Sequence, residues 1–358
     1  MADSVLQYKL DCGDYIFSRT IPAVTRLHQT YRPIPYRVLV DGFGFFDLRE
    51  HNLCAPVRSE KMSHLVALVT PCAKPSAGDD PFSRDDILIA ELHRRQVKVE
   101  SLDWDDPEAI WKRFDLVIIR STPDYHQRSD EFIQWLTKMA SDGVKLGNPY
   151  NLCKWNINKK YLKDFAAKGV KIVPTEFVTD TGSSLKQIMK QRRWNTAVIK
   201  PSIGANAFML YKVASSEAAE HFEEILVTMI RKHGGGMVQL FMDSIHTSGE
   251  WSLVFFDGKF SHAANKVPQD GFKTQEQSAD SMSCSEEPPK YVLRAGVRVI
   301  RHLPTTPLYA RVDLMVGDSH TREVVLSELE LIEPSLYLGH CKSAAARFAD
   351  AIMKKLKQ

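Results

Sequence analysis

The chain has 358 residues, enough for two or three domains, and its 44% apolar and 25% charged residues are those of an ordinary globular protein. A net charge of +3, spread without basic blocks, argues against nucleic acid or an anionic membrane as the main partner. No apolar run approaches the ~20 residues that cross a bilayer, and the six cysteines form no CxxC pair, which argues against a zinc site or a disulfide scaffold. With early acids and no hydrophobic h-region in MADSVLQYKLDCGDY, and no N-x-S/T sequon, the expectation is a reduced, cytoplasmic protein.

Residues 1–61 read as an N-terminal extension in which prolines punctuate short apolar pieces and a strand or two form. GFGFFD at 42–47 resembles the start of a glycine-rich nucleotide loop, but it lacks the third glycine and a following helix. Regular alternation begins at His64. HLVALVTP is a strand, SRDDILIAELHRR a helix capped by Ser83, and VKVESLD a strand. DPEAIWKRF is a short helix, DLVIIRS a strand and SDEFIQWLTKMAS a helix. The alternation predicts a small parallel α/β domain over 62–150.

NPYNLCKWN, 148–156, reads as a polar and aromatic connector. A helix at KKYLKDFAAKGV is closed by Gly169, followed by IVPTEFV and a helix at SSLKQIMKQRR. TAVIKPSIGANAFMLYKV is two strands joined by a small-residue loop, and a long helix covers about 215–233. GMVQLFMDS and GEWSLVFFDGKFSHAANK are antiparallel strands, with Asp257-Gly258 as a hairpin turn. A polar loop at 269–290 has the length of a lid. A helix at 291–302, strands at 307–316 and 321–331 and a basic helix at 343–357 end the chain. The fold class is α/β, turning to α+β in the C-terminal half, with subdomains at 151–236 and 237–358.

VVLSELELIEPSLYL, 324–338, places Glu328, Glu330 and Glu333 among Val, Leu and Ile. An unpartnered buried carboxylate is expensive. On a strand Glu328 and Glu330 share a face, and LYARVDLMV offers Arg311 and Asp313 in the same i, i+2 relation. Three carboxylates around one arginine leave excess negative charge that a hard divalent cation would neutralise, with phosphates completing its shell. An exposed face of ordinary salt bridges is the blander reading, against which the apolar flanks argue. Lys200 ends the strand AVIKPS and Lys159 lies near a helix start in WNINKKYL, where an anion would suit each. Surface lysine is the commoner role for either alone, and GxxxxGK[ST] is absent.

The order of these pieces resembles the ATP-grasp superfamily over about residues 62–348. The chain looks most like the branch containing the cycloserine-forming ligase, and more distantly like glutathione synthetase and D-alanine–D-alanine ligase. The resemblance implies an ATP-grasp fold with ATP and Mg²⁺ (Mn²⁺ is an alternative). Lys159, beside Lys160, and Lys200 match the phosphate-holding lysines, and Ile203, Gly204 and the residues up to Asn206 match the closing loop. Gln239, Leu240 and Phe241 match the adenine hinge. Asp243 or Glu250 is placed for the ribose or outer phosphates. Asp313, Glu328 and Glu330 match the metal ligands, and Arg311 matches an arginine near the transferred phosphate. Lys273 stands where the branch often has arginine, and a point charge replaces a fork there. Arg120 and Asp124 look like substrate-side residues, although RSTPDYH departs from the branch's Trp-Asp-Tyr run.

The implied reaction activates a carboxylate as an acylphosphate and couples it to an amine, releasing ADP and phosphate. Its partners are a small-molecule carboxylate and amine. A cyclo-ligase acting on a ureido or amino-acid-derived substrate is the first alternative, and a non-catalytic nucleotide-binding regulator the second. A homodimer through the first 60 residues is compatible with each. His246, His262 and His302 are candidates for substrate contact, with surface or satisfied histidine the commoner role.

Overall fold

The computed structural model describes the backbone of residues 5–11, 16–22, 37–40 and 44–47. From there it describes residues 64–71, 85–268, 271–273, 282–317 and 323–358. The chain divides into two units, Met1–Lys61 and Met62–Gln358.

The first unit contains two antiparallel hairpins. One pairs β1 (Val5–Asp11) with β2 (Ile16–Pro22), the other β3 (Arg37–Val40) with β4 (Gly44–Asp47). GFGFFD therefore runs into a strand.

The second unit opens with a parallel sheet of order β6-β5-β7, built from β5 (His64–Val69), β6 (Val97–Leu102) and β7 (Leu116–Ile119). Helices α1 (Asp85–Arg94) and α2 (Ser129–Ser141) each begin with acids and end with basic residues, as the helix dipole favours. The Ser83 cap lies outside the described residues. The short helix expected at 106–114 is reduced to a 3₁₀ turn at Trp111–Arg113. Asp106 instead accepts a hydrogen bond from the Glu108 N–H at 2.9 Å, a local turn that competes with so short a helix.

The expected connector at 148–156 contains a helix, α3 (Tyr150–Asn156), entered through Pro149. Its Leu152, Cys153 and Asn156 are buried, so the segment is packed structure and not a linker. Helix α4 (Tyr161–Ala167) ends at Gly169 with φ +75°, the left-handed geometry that favours glycine.

A four-stranded antiparallel sheet of order β10-β9-β11-β8 follows. Its strands are β8 (Thr175–Val178), β9 (Ala197–Pro201), β10 (Tyr211–Val213) and β11 (Gly236–Leu240). Helices α5 (Leu185–Arg192) and α6 (Glu223–Lys232) cover it through one apolar cluster containing Leu185, Met189, Leu226 and Met229. The long helix expected over 215–233 is broken, with a 3₁₀ segment at Ala218–Phe222 before α6. Glu223 at the break accepts from Ser184 Oγ at 3.0 Å and the Leu185 N–H at 2.9 Å, and so caps α5.

The third sheet has the order β14-β13-β12-β15-β16. A short helix, α7 (Ile245–Ser248), precedes it. Strands β12 (Glu250–Phe256) and β13 (Lys259–Lys266) join at Asp257 and Gly258, both at positive φ, as the hairpin motif predicts. Strand β14 (Met282–Ser285) pairs with β13, so the expected lid segment ends in sheet structure; much of the rest of 269–290 lies outside the described residues. Helix α8 (Lys290–Arg301) packs on this sheet. β15 (Tyr309–Val316) is buried throughout and β16 (Val324–Glu330) forms the edge. α9 (Ala344–Leu356) shares one core with Leu88 and Leu92 of α1, Leu116 of β7 and Phe256 of β12, which joins the parallel domain to the third sheet.

An edge strand needs cover for its unpaired backbone. Residues 156–173 supply it for β16. The Asn156 side chain donates to Leu329 O and accepts from the Leu331 N–H, both at 2.8 Å. Tyr161 Oη accepts from the Leu329 N–H at 3.0 Å, and Val173 N donates to Leu326 O at 3.0 Å. Replacing Asn156 with Ala orphans two buried backbone groups, each worth about 1–3 kcal/mol. Urea titration of N156A is expected to show a loss of that size, and a variant within experimental error of the parent would refute this role.

Candidate active site

Strands β15 and β16 set the charged centre. Their register pairs Arg311 with Glu330 and Asp313 with Glu328, so the four share one face as the i, i+2 spacing predicts. Beyond Asp313 the register shifts, with Leu314 opposite Leu326, leaving Ser327 as the extra residue of a bulge. Arg311 forks onto Asp313, with Nε to Oδ1 and Nη2 to Oδ2 both at 3.0 Å, and also pairs with Glu330. Ser252 Oγ donates to Asp313 Oδ1 at 2.6 Å.

Glu328 instead faces two lysines. Lys159 Nζ lies 3.0 Å from Oε1 and Lys200 Nζ 3.5 Å from Oε2. Burial opposes its charge, but Lys159 and Lys200 outweigh burial and hold the carboxyl at about 2. For Glu330 burial wins. Arg311 is shared with Asp313, Glu328 adds repulsion, and the carboxyl rises to about 7. Glu333, three residues on, is pushed by burial to about 8 despite a hydrogen bond from the Thr122 N–H at 2.9 Å.

Lys159 follows α3, and Lys200 lies on β9, opposite Met237 of β11. Lys159 Nζ also donates to Gly204 O in the loop between β9 and β10. That loop holds Asn206, Ala207 and Met209 at φ of 50°, 54° and 49°, a left-handed run that costs non-glycine residues energy. It carries the Phe208 ring to 4.9 Å from His126 and 5.1 Å from His233.

One cleft is walled by Lys159, Lys200, Gly204, Gln239, Leu240, Phe241, Glu250, Lys273, Glu328 and Glu330. Leu240, Phe241, Phe272 and Met315 give it an apolar wall, beside Gln239, whose Nε2 donates to Thr175 Oγ1 at 2.9 Å. The Phe241 ring stacks under Lys212 Nζ at 3.7 Å. Glu250 forms a buried pair with Lys266 at 2.9 Å.

Other expected residues lie elsewhere. Ile203 is the neighbour of Gly204 and hydrogen-bonds to His233 O. Asp243 is exposed and does not line the cleft. Arg311 and Asp313 are buried behind the wall, at 6% and 3% exposure. Asp124 accepts from Trp104 Nε1 at 2.9 Å and Arg128 Nη1 at 3.0 Å, contacts within the parallel domain. Arg120, 1% exposed, pairs with Asp85 at 3.0 Å and donates to Pro334 O at 3.2 Å. His262 is buried between Ser261 Oγ and Leu336 O; His246 is exposed; His302 contacts Arg298 O.

Sequence reasoning gave Glu333 no role and missed Lys266, Thr122 and His126. The lone carboxylate in LIEPS was the signal for Glu333, and the lysine ending the apolar run HAANK was the signal for Lys266.

These residues fit a metal–nucleotide. Two lysines meet one carboxylate at Glu328, an excess of positive charge suited to phosphate. Asp313 and Glu330 share one arginine, an excess of negative charge suited to a hard divalent cation. Among the described residues no three acidic, histidine or cysteine groups already form a metal cage. Phosphate oxygens would complete the shell, as Mg²⁺ sites commonly require.

The family described as the D-cycloserine synthetase DcsG N-terminal domain matches residues 66–148. The cycloserine biosynthesis protein DcsG of Streptomyces lavendulae is 29% identical over 272 residues, covering 73% of this chain and 90% of that protein. The crystal structure of D-cycloserine synthetase DcsG superposes with a TM-score of 0.71 at 27% identity, covering 82% of this chain and 99% of the other. D-alanine–D-alanine ligase from Bacillus anthracis, solved with ATP, superposes at 0.60 and 16% identity, covering 82% and 98%. Among the described residues no helix is long and apolar enough to cross a membrane. The expectation from motif order is borne out: the chain has the ATP-grasp fold and is similar over most of its length to a D-cycloserine synthetase.

Proposed function

We propose that the chain uses ATP and Mg²⁺ to activate a small-molecule carboxylate as an acylphosphate and couple it to an amine. The observation that carries this is the cleft in which Glu328 meets Lys159 and Lys200 while Glu330 stands beside Arg311. ATP would lie between subdomains 151–236 and 237–358, its adenine against Gln239, Leu240 and Phe241. Glu250 lines the cleft within reach of the ribose side, a better candidate than exposed Asp243.

Lys159 and Lys200 would hold the phosphates, with Ile203, Gly204 and the rest of their loop folded over them. The Gly204 carbonyl now on Lys159 would give way to a phosphate oxygen. Glu328 and Glu330 would ligate the metal, with Asp313 behind them. When bound, Mg²⁺ supplies phosphate neutralisation and in-line alignment. Arg311 orients Asp313 and Glu330 from behind the cleft wall, and Lys273 supplies a charge at its mouth. Arg120, buried against Asp85, would serve the substrate side by holding the Pro334 carbonyl, whereas Asp124 would support the parallel domain. The substrate carboxylate attacks the γ-phosphorus and ADP departs; the amine then attacks the acyl carbon and expels phosphate.

A cyclisation within one molecule is the second reading, favoured by the likeness to a D-cycloserine synthetase. Product mass separates the two.

A nucleotide at about 100 times its dissociation constant adds about 2.7 kcal/mol of stability. Melting with a non-hydrolysable ATP analogue is therefore expected to rise by a few degrees, and to need Mg²⁺ for the full rise. No rise at saturating nucleotide would refute ATP use. Glu330→Gln is expected to lower ADP release by roughly 100-fold or more, given the several kcal/mol a metal ion contributes to transition-state stabilisation, while the protein stays folded. Near-parental turnover would remove Glu330 from the metal set.

The raised acids also predict a pH slope. Glu330 and Glu333 bind protons more tightly folded than unfolded, so the stability they add is complete below about 4.5 and fades as pH climbs through about 7 and 8. His126 and His262, both lowered to about 4, act oppositely, but only below their ordinary value of 6.5. Between about pH 6.5 and 8 the ligand-free melting temperature should therefore fall, and Mg²⁺ with nucleotide should flatten the slope. A ligand-free protein that gains stability across that window would contradict the assignment.

A further inference from the structure

The charged groups described around the cleft form matched pairs and triads. Glu328 stands between Lys159 and Lys200, Asp313 and Glu330 share Arg311, and Arg120 is matched by Asp85. Glu333 forms no ion pair among the described residues, although Arg120 and Arg311 act on it from farther off. It is partly exposed, and it accepts a hydrogen bond from the Thr122 N–H, at 2.9 Å from Oε2.

Its position is specific. Thr122 follows the carboxyl end of β7, the end of a parallel sheet at which α/β folds receive ligands. Glu333 follows β16, three residues beyond Glu330. Buried Tyr125 senses Glu333, Glu330 and Glu328, whose charges add to burial in driving its hydroxyl well above the ordinary value. Glu333 thus borders the centre where the activated carboxylate forms.

A second observation points to a missing donor. The Thr122 hydroxyl oxygen is buried, in a residue 1% exposed, and has no hydrogen-bond partner. A buried hydroxyl left unpaired is costly, and it can accept a proton donor. One ligand group satisfies both defects. An ammonium ion-pairs with a carboxyl that has no ion partner of its own, drawing it into the charged form, and has further N–H groups to give to a hydroxyl. Water satisfies the hydroxyl but gives the carboxyl no ion partner, and a second carboxylate is repelled.

We propose that Glu333 and Thr122 form the site that binds the ammonium group of an amino-acid-like substrate at the carboxyl end of β7. This rests on the ligase reading above and deepens it. The same pair has a purely structural alternative, in which Glu333 only holds the Thr122 N–H. Gln would fill that role equally, because its amide oxygen accepts the same hydrogen bond.

The test uses the full chain with ATP, Mg²⁺ and the common amino acids in both hands, with lactate and propionate as matched acids lacking the amino group. ADP release is measured alongside melting with the non-hydrolysable analogue. One or more amino acids are expected to raise ADP release where the des-amino acids do not. Glu333→Gln is expected to raise KM for that amino acid by roughly 100-fold, a charged hydrogen bond lost, with a smaller change in kcat. The nucleotide-dependent melting shift should persist in the variant, which shows that it is folded. If E333Q does not give that shift, Glu333→Asp decides, with an intermediate KM expected. Unchanged KM in the variant used, or equal turnover with des-amino acids, overturns the ammonium site. So does silence of every amino acid with the wild-type nucleotide shift intact, an outcome that leaves nucleotide binding standing. Absence of the nucleotide shift in the wild type overturns the ATP reading itself.

Discussion

The register between β15 and β16 is the constraint on which the site depends. It puts Arg311 opposite Glu330 and Asp313 opposite Glu328. Side chains alternate along a strand, so a slip of one residue would turn Glu328 away from the lysines and Glu330 away from Arg311, and set Leu329 on their face. Buried hydrophobics on both strands, from Val312 and Leu314 to Leu326 and Leu329, fix the register from the other face. The same residues that build the core therefore aim the charges. The bulge at Ser327 ends the strict pairing just where the strand enters the cleft wall.

Such a cluster does little for stability by itself. Desolvating several charges offsets much of what their pairing returns. The charge is also unevenly distributed. Around Glu328 the lysines leave positive charge over; around Arg311 the acids leave negative charge over. A neutral or self-matched network would need neither excess. Lys159, Lys200, Glu328 and Glu330 line one cleft, and the apolar side chains of Leu240, Phe241 and Phe272 in the same wall suit a flat base. Lys159 reaches the centre because Asn156 and Tyr161, just before and after it, are fastened to the backbone of β16.

Much of this was legible in the sequence. Strand periodicity revealed the shared face of Glu328 and Glu330, because two-residue spacing survives almost any tertiary context. Lys200 was legible as a charge closing an apolar strand, and the Asp257-Gly258 hairpin from its turn chemistry. The failures share a cause, which is a partner distant in sequence. α3 looked like a connector because the backbone that its Asn156 satisfies lies 173 residues away. The helix through Phe222 looked continuous because the demand on Glu223 comes from the N-terminus of α5. The hold of Trp104 on Asp124 was hidden in the same way, twenty residues back, although Arg128 at i+4 is a local partner. β14 was hidden because MSCS carries no strand pattern apart from the edge it pairs with.

The loop between β9 and β10 connects binding to chemistry. It is kept down in the cleft by Lys159 on the Gly204 carbonyl and by Phe208 between His126 and His233. Both contacts involve groups with other uses: Lys159 is a phosphate ligand candidate, and His126 is buried with neither ring nitrogen paired. Three left-handed residues within the loop raise the energy of this arrangement. A phosphate that takes Lys159 from Gly204 would remove one restraint on a strained segment. The loop would then be free to settle over the nucleotide, excluding water from an acylphosphate that would otherwise hydrolyse. The strain thus sits where a ligand on Lys159 could release it, in a loop that touches Lys159 through Gly204 and His126 through Phe208.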